Sequence, residues 1–156
     1  MELEVVKLEH LPDNYHIHIA LFRDVKNAAF LHEQLLARNT DFEYAFVDAS
    51  VIADAYRRFG ISPTTKDLVV AKITFPTEAQ PQPATTESIA KHLLENVQGS
   101  HLSVTDENIA ACTDMTKVRK YYKLNGINWL DALQNTQAQK QQIEGLVIGS
   151  MALRGV

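Results

Sequence analysis

Apolar positions in this chain change their spacing from every second residue to every third or fourth and back, and those changes mark out its elements. Leu3, Val5 and Leu8 form a short apolar opening that predicts a strand, closed by the turn residues Pro12-Asp13-Asn14. From Tyr15 to Phe22 (YHIHIALF) Tyr15, Ile17, Ile19 and Leu21 share one face, with His16, His18 and Ala20 on the other. The two strands should pair as a hairpin, with the histidines on its polar face. Asp24 is placed to cap the next helix, VKNAAFLHEQLLAR, whose Val25, Ala28, Ala29, Leu35 and Leu36 make one stripe to lie on the sheet.

Phe42, Tyr44, Phe46 and Val47 read as a short buried segment, followed by a helix from Val51 to Phe59 that Gly60 ends in a left-handed stop. After the Ser62-Pro63 turn, DLVVAKITF (Asp67 to Phe75) is β-branched and bounded by turn residues, the clearest strand in the chain. The three prolines between Pro76 and Pro83 place a loop there. Thr85 or Thr86 caps the helix TESIAKHLLENVQ, with Ile89, Leu93, Leu94 and Val97 inward and Gly99 as its stop. His101 to Val104 reads as a last short strand, Thr105-Asp106 opens a helical run to about Cys112, and Asp114 caps MTKVRKYYKL. Helix-separated strands with a hairpin predict an α+β fold: a small mixed or antiparallel sheet packed against several helices. Residues 1–156 form a single domain in this reading, with an apolar helix at the C-terminus.

That final stretch, QAQKQQIEGLVIGSMALRGV, opens polar and then turns apolar almost all round. Ile143, Leu146, Val147 and Leu153 make one stripe at helical spacing, while Ile148, Met151 and Ala152 make a second, rotated from the first. Gly145 and Gly149 each cost roughly 1 kcal/mol relative to Ala in a helix interior, easier to explain if another backbone comes close. Two readings stay open: one stripe packs at home and the other meets a partner chain, or the helix threads the domain centre. The apolar run falls short of the ~20 residues that a membrane span requires.

Composition narrows the classes. A chain of 156 residues with 46% hydrophobic and 22% charged residues is ordinary for one globular domain. Its formal net charge of −4 argues against a surface that is basic throughout, though not against a local basic patch. Cys112 stands alone, which rules out an internal disulfide and suits a reducing compartment. Met1 is followed by Glu2, Leu3 and Glu4 rather than by an apolar run, so no signal peptide is expected.

Catalytic patterns are missing. The six glycines form no phosphate-binding loop, Ser50, Ser62 and Ser150 sit in no nucleophile elbow, and Asp48 and Asp54 have no assignable acid or base role. His16 and His18, two apart, have the spacing of a metal-binding pair but no third ligand beside them, so neither a metal nor a cofactor is expected. The patterned polar feature is DMTKVRKYYKL, with Val118, Tyr121 and Tyr122 on one face and Lys117, Arg119, Lys120 and Lys123 around them. Cations beside aromatic rings suit a contact that follows a phosphate backbone and stacks on bases. Read from the residues alone, a docked amphipathic helix whose cations are merely solvated is the preferred account, since charge runs of this length are common.

Four stretches taken in order carry a family resemblance: Leu21-Phe22-Arg23-Asp24-Val25-Lys26-Asn27-Ala28, Ile52-Ala53-Asp54-Ala55-Tyr56-Arg57-Arg58-Phe59-Gly60-Ile61, Lys117-Val118-Arg119-Lys120-Tyr121-Tyr122-Lys123-Leu124 and Leu153-Arg154-Gly155-Val156. Together they resemble the TPRKB-like family, the small kinase-binding subunit of the KEOPS/EKC complex, in a fungal-looking form. Family members carry a few dozen further residues between the equivalents of Val47-Asp48 and Ala53-Asp54, so an internal segment is missing near residues 48–53.

The resemblance implies a non-catalytic accessory subunit. Such a subunit binds and stimulates the complex's small atypical kinase/ATPase. It also helps recruit tRNA, through its 3′ CCA end, for threonylcarbamoyladenosine modification, in nucleus and cytoplasm, with links to telomere maintenance. Leu146, Ile148, Met151 and Ala152 are then the expected kinase face, with Val147 at its boundary. Lys117, Lys120, Lys123 and Arg154 are the expected RNA contacts. The competing functions are a self-associating structural module, whose tail helices pair with each other, and an autonomous RNA-binding protein.

Overall fold

The computed structural model describes residues 1–51, 60–78 and 80–153, which fall into two compact units, Met1–Cys112 and Thr113–Val156. The helix expected over Val51 to Phe59 lies outside the described residues, apart from Val51, which closes a 3-10 turn at Ala49–Val51.

The first unit is built on an antiparallel sheet of five strands: β1 (Glu4–Val6), β2 (His16–Arg23), β3 (Ala45–Asp48), β4 (Leu68–Thr74) and β5 (Ser100–Leu102). β2 organises it. β4 pairs along one edge of β2 from His16↔Thr74 to Phe22↔Leu68. The other edge is shared by β1, against Ile17 to Ile19, and β5, against Leu21 to Arg23. β3 lies outside β4, with Phe46 opposite Val70. With helices α1 (Ala28–Leu36), α2 (Thr86–Asn96) and α3 (Asp106–Cys112), the architecture is the α+β arrangement predicted, hairpin included.

The main core lies on one face of this sheet. Ala20 and Phe22 of β2, Phe46 of β3, and Leu68 and Val70 of β4 join Ala28 and Leu31 of α1 and Ile89 and Leu93 of α2 in one buried cluster. Each fully buried side chain of this size contributes about 1.5–3 kcal/mol. On the opposite face Leu21, Ala49 and Cys112 form a smaller cluster, with Val69, Leu102, Val104 and Ile109 packed against it.

The histidines of β2 correct the sequence reading. Alternation puts His18 on the face of Ala20 and Phe22, and that face is the core rather than the polar side. His18 is only 5% exposed, and its Nε2 lies 3.0 Å from the hydroxyl of buried Thr74. Its Nδ1 lies 3.5 Å from the Thr86 hydroxyl in the first turn of α2. A strand period shows which residues share a face but not which face is covered.

Local chemistry moves two helix ends. Asp24 does not cap α1: its φ is 55°, and its N–H donates to the Asp67 carboxylate at 3.2 Å. The next two N–H groups donate to Lys66 O (2.7 Å) and Gln98 O (2.8 Å), which keeps the chain out of the helix until Asn27. Asn27 spends its own side chain on the end of α2, donating to Asn96 O and accepting from the Gln98 N–H. Fully buried Leu31 completes the inward stripe, whereas Ala29 and Leu36 face solvent. Thr85 caps α2, accepting from the Ser88 N–H at 3.2 Å, as predicted. Gly99 is a close-approach glycine instead of a left-handed stop: a Cβ there would stand 3.0 Å from Arg23 O and 3.1 Å from a Val25 methyl. Gly60 does adopt the left-handed conformation expected of it, with φ +63°, and its carbonyl accepts from the Asp48 N–H.

The second unit comprises α4 (Met115–Tyr121), α5 (Asn128–Asp131) and α6 (Thr136–Leu153). Asp114 caps α4 as predicted, accepting from the N–H groups of Thr116 and Lys117. The Arg119 guanidinium donates to Leu124 O at 3.3 Å and pairs with the Asp131 carboxylate, fastening α4 to α5. Gln139 donates to Leu130 O at 3.1 Å and fastens α5 to α6. Val118, Tyr122, Leu124, Leu130 and Ile143 are its buried residues.

Burial sets the pH response. It holds the imidazolium of His18 below the ordinary value of 6.5, with neighbouring His16 adding to the effect. His101 is lowered by burial first and the N-terminal ammonium second. Both bases bind protons more readily in the unfolded chain, so their contribution to stability is complete above pH 6.5 and is lost as pH falls toward their lowered values. Melting temperature should therefore drop between pH 7.5 and pH 5.5, and His18→Gln should flatten that dependence. Identical pH profiles for the two proteins would contradict the role given to His18.

Candidate functional site

α6 carries two unlike faces. At 100° per residue, Ile143, Leu146, Val147 and Ser150 share one side, and Gly145, Ile148, Gly149 and Ala152 share the other at i, i+3, i+4 and i+7. Ile143 is buried, and Leu146, Val147 and Ser150 are half-buried. All four residues of the second side are exposed, with Ile148 at 66%. Within the unit no atom comes within 4 Å of where a Cβ would stand on Gly145 or Gly149, the helix's own backbone apart. The backbone of this face is therefore open to approach from outside.

Of the five residues expected to meet a partner, Ile148 and Ala152 stand on the open face and Leu146 and Val147 lean inward beside Ile143. The side chain of Met151 is outside the described residues. Leu153, assigned by its spacing to the inward stripe, is 77% exposed, whereas Ser150, three residues earlier, is half-buried.

The basic segment divides similarly. Lys117, Lys120 and Lys123 are exposed on and just after α4, whereas Arg119 is taken up by Leu124 O and Asp131. Arg154 lies outside the described residues. Tyr122 is buried, and Tyr121 is half-buried with its ring edge-on to Tyr122 at 5.4 Å. Tyr122 thus has no face to offer a base, which fits the docked amphipathic helix rather than the base-stacking alternative. Trp129 on α5 does offer one, being 53% exposed. A four-residue turn has no period to reveal it; the signal was the chain's single tryptophan, three residues after the turn pair Asn125-Gly126.

Charge separates the units as well. Residues 1–112 hold nine Lys and Arg against sixteen Asp and Glu, and residues 113–156 hold six against three, so the chain's −4 divides into −7 and +3. Among the described residues no group of three or more His, Cys, Asp and Glu is arranged to hold a metal ion, and no helix is long and apolar enough to cross a membrane.

Fold and surface together define a small α+β protein with an exposed apolar helix face. Comparison with known proteins specifies the class: the chain belongs to the family described as kinase binding protein CGI-121, matching it over residues 22–55 and 50–155. It is 49% identical over 197 aligned positions to the EKC/KEOPS complex subunit CGI121 of Gibberella zeae, with all of both chains covered. It is 36% identical to the subunit of the same name from Neurospora crassa, again over the whole of both chains. It is 35% identical to that of Aspergillus terreus, over 98% of this chain and 97% of the relative. The Gibberella alignment has 197 positions against 156 residues here, so at least 41 positions (197 less 156) have no counterpart in this chain. The two stretches of the family match overlap at residues 50–55, just after β3.

Because Gly149 sits in a helix with open space around it, Gly149→Ala should raise stability by up to about 1 kcal/mol. Ile148→Glu, on the same exposed face, should stay within about 0.5 kcal/mol of the wild type. Thermal denaturation of the three proteins checks this, and a large loss of stability in either variant would show that the face is packed at home.

Proposed function

We propose that this protein is a non-catalytic accessory subunit of an EKC/KEOPS complex that docks through the open face of α6 onto the complex's small atypical kinase/ATPase and stimulates it. The observation that carries the reading is Ile148, two-thirds exposed on a helix face whose neighbours are Gly145, Gly149 and Ala152. An apolar anchor flanked by glycines admits a second backbone closely, which offsets what those glycines cost the isolated helix. The family's description as kinase binding, and the relatives' names as EKC/KEOPS subunits, support the choice of partner. A standard interface covers ~800 Å² per partner, so half-buried Leu146 and Val147, and Met151, contribute at its margin. A helping role in bringing tRNA, by its 3′ CCA end, to the complex belongs to the same proposal, with Lys117, Lys120, Lys123 and Arg154 as its contacts and nucleus and cytoplasm as its compartments.

Calorimetric titration with the cognate kinase tests the docking. Wild type and Leu94→Glu, which alters an exposed leucine of α2, should bind alike. Ile148→Glu should lose at least about 100-fold, the effect of burying an unpaired charge in the interface. Equal binding by Ile148→Glu would remove α6 from the interface. A stable dimer of the isolated chain that Ile148→Glu dissolves would assign the face to self-association instead.

A further inference from the structure

We propose that Trp129 is a base-stacking residue for single-stranded RNA, held by the basic unit Thr113–Val156; this inference rests on the tRNA-recruiting part of the function proposed above. Charge supplies the first argument. A unit at +3 in a chain at −4 is the part suited to phosphate, since neutralising phosphates and releasing their counterions drives nucleic-acid binding. Its three acidic side chains are engaged locally. Asp131 pairs with Arg119, Glu144 lies 3.8 Å from Lys140, and Asp114 caps α4. Lys117, Lys120 and Lys123 recur every third residue and are exposed.

Exposure supplies the second argument. Tryptophan is highly buried on average, yet this one keeps more than half its surface in solvent. Its backbone is nevertheless well held. Fully buried Leu130 follows it, the Leu130 carbonyl accepts from Gln139, and Asp131 is fastened to Arg119 on the basic helix. An indole displayed on a pinned turn, fastened to a helix of exposed lysines, combines the two parts of a single-strand contact: an aromatic platform and cations for the backbone. Tyr122, which the sequence pattern offers for that platform, is buried. A neutral protein partner would find the same indole attractive but would have no use for the positive charge of the unit that carries it.

The test uses the full chain and its single tryptophan, so intrinsic fluorescence reports Trp129 alone. A single-stranded RNA of about 12 nucleotides, within the site sizes such contacts span, is titrated in at several salt concentrations. Binding should quench the fluorescence. Trp129→Ala should weaken affinity about 5- to 100-fold with the salt dependence unchanged, and Trp129→Phe should retain most of it. Lys120→Gln with Lys123→Gln should instead lower the slope of log affinity on log salt by about 1.4 to 1.8 and leave the quenching in place. RNA binding with unquenched fluorescence and full affinity in Trp129→Ala would overturn the inference while leaving RNA recruitment standing. Loss of kinase affinity alone in Trp129→Ala would reassign the residue to a protein contact. No RNA binding by the wild type would overturn both the inference and the reading beneath it.

Discussion

The sheet depends on one strand being buried on both sides. β2 hydrogen-bonds to β4 along one edge and to β1 and β5 along the other, and no other strand of the described sheet has three partners. It sends Ala20 and Phe22 into the main core and Leu21 into the smaller cluster opposite. Both helical layers of the first unit therefore rest on consecutive residues of a single strand. The polar members of β2 follow from the same constraint. His18 lies on the core face and is tolerated there because Thr74 on β4 meets its ring nitrogen and burial keeps it neutral.

How much of this is legible in the sequence depends on whether a signal is local. β4 is continuous and β-branched, Thr85 and Asp114 are caps read within a few residues of their helices, and all three stand where they were expected. Asp24 fails as a cap because its surroundings come from distant Lys66, Asp67 and Gln98, which no window around it contains. Gly99 fails as a stop for a similar reason: what requires a glycine is the approach of Arg23 and Val25 from another element. His18 is misplaced because a two-residue period carries no label for inside and outside.

The candidate surfaces show the same division. The two stripes of α6 follow from helical period, and Ile148 and Ala152 are separated correctly from Ile143. Period alone does not say where burial stops, so Leu153 is assigned inward although it is 77% exposed. Tyr121 and Tyr122 look alike in a basic heptad of residues, yet the roughly 100° of helical rotation between them buries the second more than the first. Trp129 has no periodic neighbours to announce it. Family membership adds what none of these patterns contains, a class of partner, and it also exposes a difference: the Gibberella relative, aligned from end to end, has at least 41 positions without a counterpart here, and the two stretches of the family match meet at residues 50–55. α6 lies far along the chain from that junction, and its two-faced character is intact.

The central claim is that the Gly145-Ile148-Gly149-Ala152 face meets a kinase. Methyl NMR of isoleucine-labelled protein tests it directly, because among the described residues two exposed isoleucines lie in different units, Ile148 on α6 and Ile73 on β4. Addition of the cognate kinase should shift or broaden the Ile148 methyl signal and leave that of Ile73 in place. Movement of Ile73 with Ile148 unchanged would contradict the account and transfer the interface to the sheet.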